Sequence, residues 1–405
     1  MSRLRLLFVL GYFEPAYLYG GPIRTRSVLS RALVRAGADV TVFATDAHGK
    51  GRLDVPIGQP VHLDGVQVYY FRRNWGQRFF YSRALGRACR QHIPEFDLVH
   101  SSGLWVYSLW PVSAACRRAN VPWVESPMGQ LMPWCLQHRY WKKRPYFNLV
   151  SRPRLNQAAA IHCTDDIEKE HVQALGLKPP VFVVPSPIDP KEFEGPPARG
   201  EMRARLGLPA DASVSLFLGR LASVKGVDLA VEAFAEVARE HPRAYFVIAG
   251  PEEDGSGARA RQRVAQLRLD GRVRFLGPVA GYDRLAALAD ADLFVMPSRS
   301  ENFGVAAAEA MAAGLPVLLS DQVGIARHAA SAGAARMVPL EVPRIASAWG
   351  KLLADPQGME ALAGRARAFA LEEYDADAVA RRMLDAYQHV IENWKQGKQD
   401  VHSRN

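Results

Sequence analysis

The chain has 405 residues, of which 48% are hydrophobic and 23% charged, and it carries a formal net charge of +10. This composition is typical of a soluble globular protein with enough chain for two domains. No apolar run reaches the roughly 18 residues of a membrane span. The four cysteines have no C-x-x-C spacing, which argues against a disulfide framework or a zinc site.

The first predicted element is the apolar segment LRLLFVLG, residues 4–11. A signal peptide is the alternative, because basic residues precede the apolar run. The run is short, contains Arg5, and reaches Glu14 and Pro15 without a small-residue cleavage site. We therefore expect a first buried β-strand, followed by a helix over 21–37 and a strand over 39–45. Together with the cysteine pattern, this favours a cytoplasmic location.

Strands and helices continue to alternate along the rest of the chain. Further strands are predicted at 66–71, 96–102, 121–127 and 158–164, and, after a Pro- and Gly-rich linker at 183–200, at 213–219, 244–250, 273–277, 293–298 and 316–320. Helices are predicted at 226–240, 257–269 and 305–314. Such alternation predicts two doubly wound α/β modules of Rossmann type, each with a parallel sheet covered on both faces and with ligands in the cleft between the modules.

The predicted domains are 1–185, 186–372, and 373–405 as a helix that returns to the first module. This final helix, around 376–394, carries apolar residues at helical spacing, including Val379, Met383 and Tyr387. The stripe indicates packing rather than function. The tail from Lys395 is expected to fray.

The positive charge is concentrated in the first part of the chain. Residues 1–154 contain 22 lysines and arginines against 8 aspartates and glutamates, a net +14, whereas the rest contains 29 against 33. This asymmetry indicates contact with an anionic partner. Nucleic acid, a membrane surface, a phosphorylated substrate and a merely solvated basic surface all remain open.

Two loops that follow predicted strands contain the chemically informative residues. FLGRLASVKG places Arg220 and Lys225 five residues apart in a Gly-bounded loop before a helix, where both can converge on one anionic group. SRSENFGVAAAEAMAAG places Glu301 before Gly304 and Glu309 inside the following helix. The alternatives are solvated basic residues in the first loop, and helix-dipole compensation or an exposed helix face in the second.

Amide groups of residues 302–305 lie at the start of that helix, where they are unpaired donors for a hydroxyl or phosphate. Two acids flanking one bond would suggest glycoside hydrolysis. The spacing here instead indicates that Glu301 and Glu309 bind separate groups. Glu309 can accept from both hydroxyls of a ribose and Glu301 from a hydroxyl of a transferred sugar.

These motifs resemble the retaining GT-B glycosyltransferases of the large fourth family, which includes many bacterial exopolysaccharide and lipopolysaccharide sugar transferases. The resemblance rests on the E-x-x-x-x-x-x-x-E spacing, the G-R-L…K-G loop and SENFG, and it is strongest over residues 213–335. It implies that Arg220 and Lys225 hold the donor pyrophosphate and stabilise the departing nucleoside diphosphate. The implied catalytic residues are Arg220, Lys225 and Glu301, and the implied donor-binding residues are Gly20, Gly21, Gly219, Asn302, Phe303, Gly304, Val305 and Glu309.

The chain departs from the family pattern at two places. Many relatives have two histidines in the segment corresponding to FDLVHSSGLW, whereas this chain has His100 and then Ser102. His100 and Ser102 are therefore only candidates for the acceptor or sugar side, since a lone histidine at a strand end is often structural. Ser186 and Pro187 stand where many relatives have Asn-Gly.

Aromatic and basic residues alternate over residues 131–155. Trp134, Tyr140, Trp141, Tyr146 and Phe147 are interleaved with Arg139, Lys142, Lys143, Arg144, Arg152 and Arg154. We favour peripheral contact with an anionic membrane. Stacking on single-stranded nucleic acid, or a solvated basic helix packed by its aromatics, are the rivals.

The sequence predicts no metal site and no cofactor, because no ligand cluster is visible and no D-x-D arrangement follows a predicted strand. The expected function is retaining transfer of a hexosyl group from a nucleotide-diphospho-sugar to a glycan or polyprenyl-diphosphate-linked acceptor in cell-surface polysaccharide synthesis, at the inner face of the membrane. The alternatives are a nucleotide-sugar epimerase and a non-catalytic membrane-associated assembly protein. The sugar, the base, the linkage and the oligomeric state are not encoded in a readable way.

Overall fold

A computed structural model describes residues 3–138 and 140–402, with side chains up to residue 397. The chain forms two compact units. The first contains the chain up to Pro187 and again from Ala376, and the second contains Ile188–Asp375. In the described ranges no helix combines the length and the apolarity needed to cross a membrane.

The first unit is built on an eight-stranded sheet. Its strands are β1 (Arg5–Val9), β2 (Asp39–Thr45), β5 (Pro60–Leu63), β6 (Val66–Phe71), β7 (Leu98–Ser102), β8 (Trp123–Ser126), β9 (Ala160–Cys163) and β10 (Val181–Val183), and a separate hairpin is formed by β3 (Ala47–His48) and β4 (Gly51–Arg52). The order is β10-β9-β8-β7-β1-β2-β6-β5. β1 lies between β2 and β7, with Leu7 opposite Thr41 on one side and Val99 on the other. Four of its five residues are buried, because both faces of the sheet are covered.

Helices cover this sheet as the alternating pattern predicts. They are α1 (Gly21–Arg35), α2 (Arg83–His92), α3 (Leu109–Ala119), α4 (Pro133–Gln137), α5 (Tyr140–Tyr146), α6 (Arg152–Leu155) and α7 (Asp166–Ala174). Side-chain caps define two of their starts. Ser82 accepts from the amide of Leu85 at α2, and Asp165 accepts from the amide of Glu168 at α7. Pro22 lies in the first turn of α1, where its missing N–H removes no helical hydrogen bond.

The last helix, α16 (Ala376–His402), belongs to the first unit. It packs against α1 and places Val379, Met383 and Tyr387 in the core of that unit. An ion pair joins Arg35 Nη2 to Asp377 Oδ1 at 2.6 Å. The predicted return helix is confirmed. The helix extends past Lys395, where the tail was predicted to fray, as far as His402, and residues 403–405 lie outside the described residues.

The second unit contains a six-stranded parallel sheet. Its strands are β11 (Ser213–Leu218), β12 (Ala244–Ala249), β13 (Val273–Gly277), β14 (Leu293–Met296), β15 (Val317–Ser320) and β16 (Arg336–Val338), and its helices are α8 (Glu201–Arg205), α9 (Val227–Glu240), α10 (Ser256–Gln266), α11 (Gly281–Asp290), α12 (Val305–Ala312), α13 (Ala326–Ser331), α14 (Val342–Leu353) and α15 (Pro356–Glu373). The order is β13-β12-β11-β14-β15-β16. The strand order therefore reverses between β11 and β14.

One detail of the first sheet differs from the prediction. β5 pairs with β6 in the antiparallel sense, so the sheet is mixed rather than wholly parallel. Exposed and half-buried residues alternate along β5, as on an edge strand with one face in solvent. A four-residue edge strand carries too weak an apolar pattern to be recognised from sequence.

Candidate active site

The carboxyl ends of β11 and β14 lie side by side in the second unit. These strands are parallel neighbours, with Ser215 opposite Leu293. β11 leads into the loop 219–226, and β14 leads into the loop 297–304. Ligands of open α/β sheets bind where the strand order reverses, and these are the two loops that contain the predicted charged residues.

The structure brings Lys225 and Glu301 into direct contact. Lys225 Nζ and Glu301 Oε2 form an ion pair, and the side chains are only 15% and 14% exposed. Gly226 allows this approach. Its φ is +68°, and a Cβ there would lie 1.9 Å from the carbonyl oxygen of Pro297. Any larger residue would push the two loops apart.

Arg299 connects the same two loops through hydrogen bonds. It was not among the site residues predicted from the sequence. Its amide donates to the carbonyl of Val224 at 2.8 Å, and its Nη1 donates to the carbonyl of Ser223 at 2.7 Å. The guanidinium also binds both carboxylate oxygens of Asp228, at 2.8 and 2.6 Å. Although burial opposes it, this bidentate contact lowers the pKa of Asp228. The available signal was an arginine two residues before Glu301, directly after a predicted strand.

Arg220 lies at the outer edge of this site. It forms an ion pair with Glu253, in the loop that follows β12, and both side chains are partly exposed. The next residue, Asp254, accepts from the amide and the hydroxyl of Ser223, each at 2.9 Å, and from the hydroxyl of Ser256 at 2.5 Å. Although burial opposes it, these hydrogen bonds lower the pKa of Asp254 to about 2. The acidic run Glu253-Asp254 thus fixes the loop that carries Arg220.

Helix α12 begins at the second loop. Its N-cap, Gly304, has φ +99°, and a Cβ there would lie 2.8 Å from Cγ1 of Val323. The amide of Glu301 donates to the carbonyl of Gln322, and the amide of Gly324 donates to the carbonyl of Glu301, each at 3.0 Å. The loop is therefore held against the segment after β15. The first amides of α12, from Val305 onward, lie at a helix N-terminus beside Asn302 and Glu301.

The side chain of Phe303 packs in the hydrophobic core of the second unit. The side chain is buried and meets the ring of Tyr374 edge to face at 5.0 Å. Phe303 therefore contributes its main chain to the loop surface, within the amide donors predicted at residues 302–305.

Glu309 lies inside the unit, on the buried face of α12. Its Oε2 accepts from Arg284 Nη1 at 2.7 Å, and the side chain is 7% exposed. The alternative that Glu309 lies on an exposed helix face is therefore wrong. Glu301 and Glu309 have different charged partners, as expected if they bind separate groups.

In the first unit, Gly20 and Gly21 follow β1 at the start of α1, in the segment predicted from the sequence. Gly20 is the N-cap of α1, with φ +75°, and Gly21 is the first helical residue. Space is open within 4 Å of the position that a Cβ of Gly20 would occupy. The first turn of α1 has no acidic residue, so the helix N-terminus retains its partial positive charge.

His100 is a core residue in the middle of β7, not at the strand end where it was expected from the sequence. Its Nδ1 lies 2.5 Å from the hydroxyl of Tyr387 on the return helix, and its ring packs on Phe8. Burial and the nearby charge of Arg26 hold the pKa of His100 well below its ordinary value, so the ring is neutral. Ser102, two residues on, has a buried hydroxyl. These positions support the structural interpretation of His100.

A second charged group near His100 was missed by the sequence analysis. Arg26 and Glu125 are both buried. Burial lowers the pKa of Arg26 and raises that of Glu125 to about 8, which the neighbouring Arg26 charge partly offsets. Among the residues that the structure describes, Arg26 Nε, His100 Nε2, Ser102 Oγ, Glu125 Oε1 and Ser126 Oγ have no hydrogen-bond partner. Arg26 lies inside the predicted helix 21–37, and neither Arg26 nor Glu125 belongs to a recognisable motif.

Residues 131–155 form short helices with a mixed surface. Trp141 and Leu149 are 71% and 77% exposed, whereas Phe147 is buried. Lys142 Nζ lies 4.5 Å from the ring centre of Trp141. Arg139 lies outside the described residues. The exposed residues of this segment thus combine large apolar side chains with positive charge.

Two family profiles divide the chain between them. The profile described as Glycosyltransferase Family 4 matches residues 19–192, and that described as Glycosyl transferases group 1 matches residues 198–369. The chain is 31% identical over 399 residues to the D-inositol 3-phosphate glycosyltransferase of Nocardioides sp., covering 89% of this chain and 83% of that protein. It is 34% identical over 249 residues to the protein of the same name from Kineococcus radiotolerans, covering 57% of each.

Two solved structures have the same fold. Sucrose-phosphate synthase from Thermosynechococcus elongatus superposes with a TM-score of 0.76 at 22% identity, covering 96% of this chain and 100% of that one. HepE of Anabaena, solved in complex with UDP and glucose, gives 0.74 at 21% identity with the same coverage. From the family profiles, the Nocardioides relative and these folds together, it follows that the chain belongs to the GT-B glycosyltransferases.

Proposed function

We propose that the protein is a retaining glycosyltransferase that moves a hexosyl group from a nucleotide-diphospho-sugar to a hydroxyl of a glycan or lipid-linked acceptor. The observation that carries this proposal is the convergence of Lys225 and Glu301 from two loops at the strand-order reversal of the second unit. A cation and a carboxylate at one point suit a ligand that is both phosphorylated and hydroxylated.

Arg220 and Lys225 are proposed to bind the donor pyrophosphate, beside the main chain of Gly219. Arg220 offers a planar fork of donors for phosphate oxygens, and Lys225 adds a point charge. Charge develops on the leaving nucleoside diphosphate during transfer, so fixed cations stabilise the transition state more than the ground state. This pair supplies that stabilisation without requiring a metal ion.

The donor sugar is proposed to lie against Glu301, Asn302 and the main chain of residues 303–305. The ion pair with Lys225 keeps Glu301 available as a hydrogen-bond acceptor for a sugar hydroxyl rather than as an attacking group. Attack by the acceptor hydroxyl on the face that the diphosphate leaves is the corresponding mechanism. Glu309, one turn further into α12, is proposed to accept from the ribose hydroxyls of the nucleotide.

The acceptor is proposed to be a glycan or a polyprenyl-diphosphate-linked saccharide at the cytoplasmic face of a membrane, in cell-surface polysaccharide synthesis. Support comes from the net +14 over residues 1–154 and from exposed Trp141 and Leu149 beside Lys142. A phosphorylated polyol is the second candidate, because the curated relatives are named D-inositol 3-phosphate glycosyltransferases. The same basic charge favours either acceptor.

Thermal shift against UDP-, GDP-, ADP- and dTDP-sugars tests the donor. We expect one nucleotide class to raise the melting temperature, and Glu309→Ala to abolish that rise. Transfer from the selected donor is then measured to inositol phosphate and to a polyprenyl-diphosphate-linked sugar, with the anomeric configuration of the product read by NMR. An inverted product contradicts the retaining mechanism, and no stabilisation by any donor contradicts the enzyme assignment in favour of an assembly protein.

A further inference from the structure

Arg284 connects two carboxylates in the second unit. It lies on α11 with a side chain only 8% exposed. Its Nη1 donates to Glu309 Oε2 at 2.7 Å, and its Nη2 donates to Glu192 Oε2 at 2.6 Å. Glu192 belongs to the short helical turn Pro190–Phe193, near the start of the unit at Ile188.

The guanidinium of Arg284 is fixed from more than one side. Glu192 holds one terminal nitrogen, and the ring of Phe193 lies 5.9 Å from the guanidinium carbon. A planar guanidinium held in this way presents its other nitrogen to Glu309 in one direction only. The carboxylate of Glu309 is therefore oriented by a partner that is itself immobilised.

A buried carboxylate such as Glu309 needs such a partner. Removing an ionised carboxylate from water costs several kcal/mol unless an opposite charge or hydrogen bonds compensate. An ionised carboxylate accepts hydrogen bonds only, which is what two ribose hydroxyls require, whereas a protonated one also donates.

We propose that Arg284 is a positioning residue that holds the carboxylate of Glu309 oriented for the ribose of the nucleotide. It thereby sets the preference of the site for ribonucleoside over 2′-deoxyribonucleoside diphosphates. The proposal rests on the proposed function, in which Glu309 accepts from the ribose. Arg284 acts through Glu309, and the segment after Ile188 contributes to donor recognition through Glu192.

The test compares UDP with dUDP, GDP with dGDP and ADP with dADP by titration calorimetry. The wild type is expected to prefer the ribonucleotide by about tenfold to a hundredfold, the range for a hydrogen bond to a charged group. Arg284→Met is expected to bring the ratio of the two dissociation constants close to one, while affinity for the deoxynucleotide changes little. Arg284→Lys, which keeps a charge, should restore part of the preference.

Two variants separate positioning from general stability. Glu192→Gln keeps the contact between Arg284 and Glu309 but weakens the contact that holds the other terminal nitrogen of Arg284. The preference for the ribonucleotide should therefore fall a few-fold. Arg205→Met removes an exposed ion pair of 2.7 Å between Arg205 and Asp283, which lies on α11 beside Arg284. This variant should leave the preference for the ribonucleotide unchanged. If Arg284→Met does not fold, the ratio of the two dissociation constants is measured in Arg284→Lys and Glu192→Gln instead. A wild-type ratio in both variants would overturn the proposal.

Failure of the proposal differs from failure of the proposed function. If Arg284→Met folds and weakens both nucleotides equally, Arg284 is a structural residue and the proposal is wrong. If Glu309→Gln itself keeps the ribose preference, or the wild type binds no nucleoside diphosphate, the role given to Glu309 is wrong instead. In a Glu309→Gln background, adding Arg284→Met should cause little further loss of preference.

Discussion

Lys225 and Glu301 form a largely buried ion pair across 76 residues of sequence, at the carboxyl ends of two neighbouring strands. Removing either partner leaves the other charge without its counterpart in the proposed donor site. Lys225→Met and Glu301→Gln are each expected to lower kcat/KM for the donor by about a hundredfold or more. Initial rates at varied donor concentration measure this. Arg243→Met, which breaks an exposed pair with Asp211, is the control and should keep wild-type rates.

If Arg220 binds the donor pyrophosphate as proposed, Glu253 competes with the donor for Arg220. Because the two side chains form an ion pair at a partly exposed position, binding a phosphate to Arg220 requires that contact to be shared or broken. Glu253→Gln is expected to tighten nucleoside diphosphate binding by about two- to fivefold, the scale of an exposed pair. Calorimetry at low and high salt measures it. An unchanged or weaker affinity would show that Glu253 orients Arg220 instead of occupying it.

Gly226→Ala tests the close approach of the two site loops. The φ of +68° disfavours alanine by about 1–2 kcal/mol, and contact with the carbonyl of Pro297 adds to that. Gly207 is a matched control, because its φ is +62° and a Cβ there would meet open space. Urea unfolding should show a larger loss of stability for Gly226→Ala than for Gly207→Ala, together with loss of activity. Equal losses would mean that the backbone angle alone matters.

The buried carboxyl of Glu125 is expected to give the stability of the folded protein an unusual dependence on pH. Burial raises its pKa to about 8, against an ordinary value of 4.5, so the folded state keeps a proton that the unfolded state releases between those pH values. The contribution of Glu125 is therefore present at low pH and decreases as pH rises toward 8. Glu125→Gln should be increasingly stabilising relative to wild type across this range, by on the order of a few kcal/mol. Denaturant unfolding at pH 5, 6.5 and 8 measures it. A stability difference that is constant with pH contradicts the expectation.

Trp141 and Leu149 are expected to mediate membrane contact. Both are exposed in the basic first unit, so Trp141→Ser with Leu149→Ser should reduce co-sedimentation with vesicles that contain anionic lipid several-fold. Met337→Ser, an exposed apolar position in the second unit, is the control. Binding that persists in the double variant but disappears at high salt would assign the contact to charge alone.

The fold was largely readable from the sequence because buried parallel strands are continuous apolar runs. β2, β6 and β13 were predicted at their observed bounds, and the GT-B architecture and glycosyltransferase class are confirmed. The edge strand β5 and the β3–β4 hairpin escaped prediction because short, half-exposed strands carry little periodicity.

The candidate site was readable only in part. Lys225 and Glu301 stand in recognisable loops, and the structure brings them together. Their supporting partners could not be predicted from the sequence. The roles of Arg299, Arg284 and Glu253 become apparent only in the structure, where the sheet places distant loops side by side. His100 shows the opposite case, since its predicted position at a strand end suggested chemistry, whereas its contact with Tyr387 depends on a helix almost three hundred residues later.

The return of α16 to the first unit has a consequence for biosynthesis. Val379, Met383 and Tyr387 belong to a core whose members outside α16 all lie before residue 188, so that core can close only after synthesis has reached α16. The second unit, Ile188–Asp375, is continuous and has all its strands as soon as it emerges. We therefore expect the second unit to complete its sheet before the core of the first unit closes, with the surface that α16 covers exposed until then.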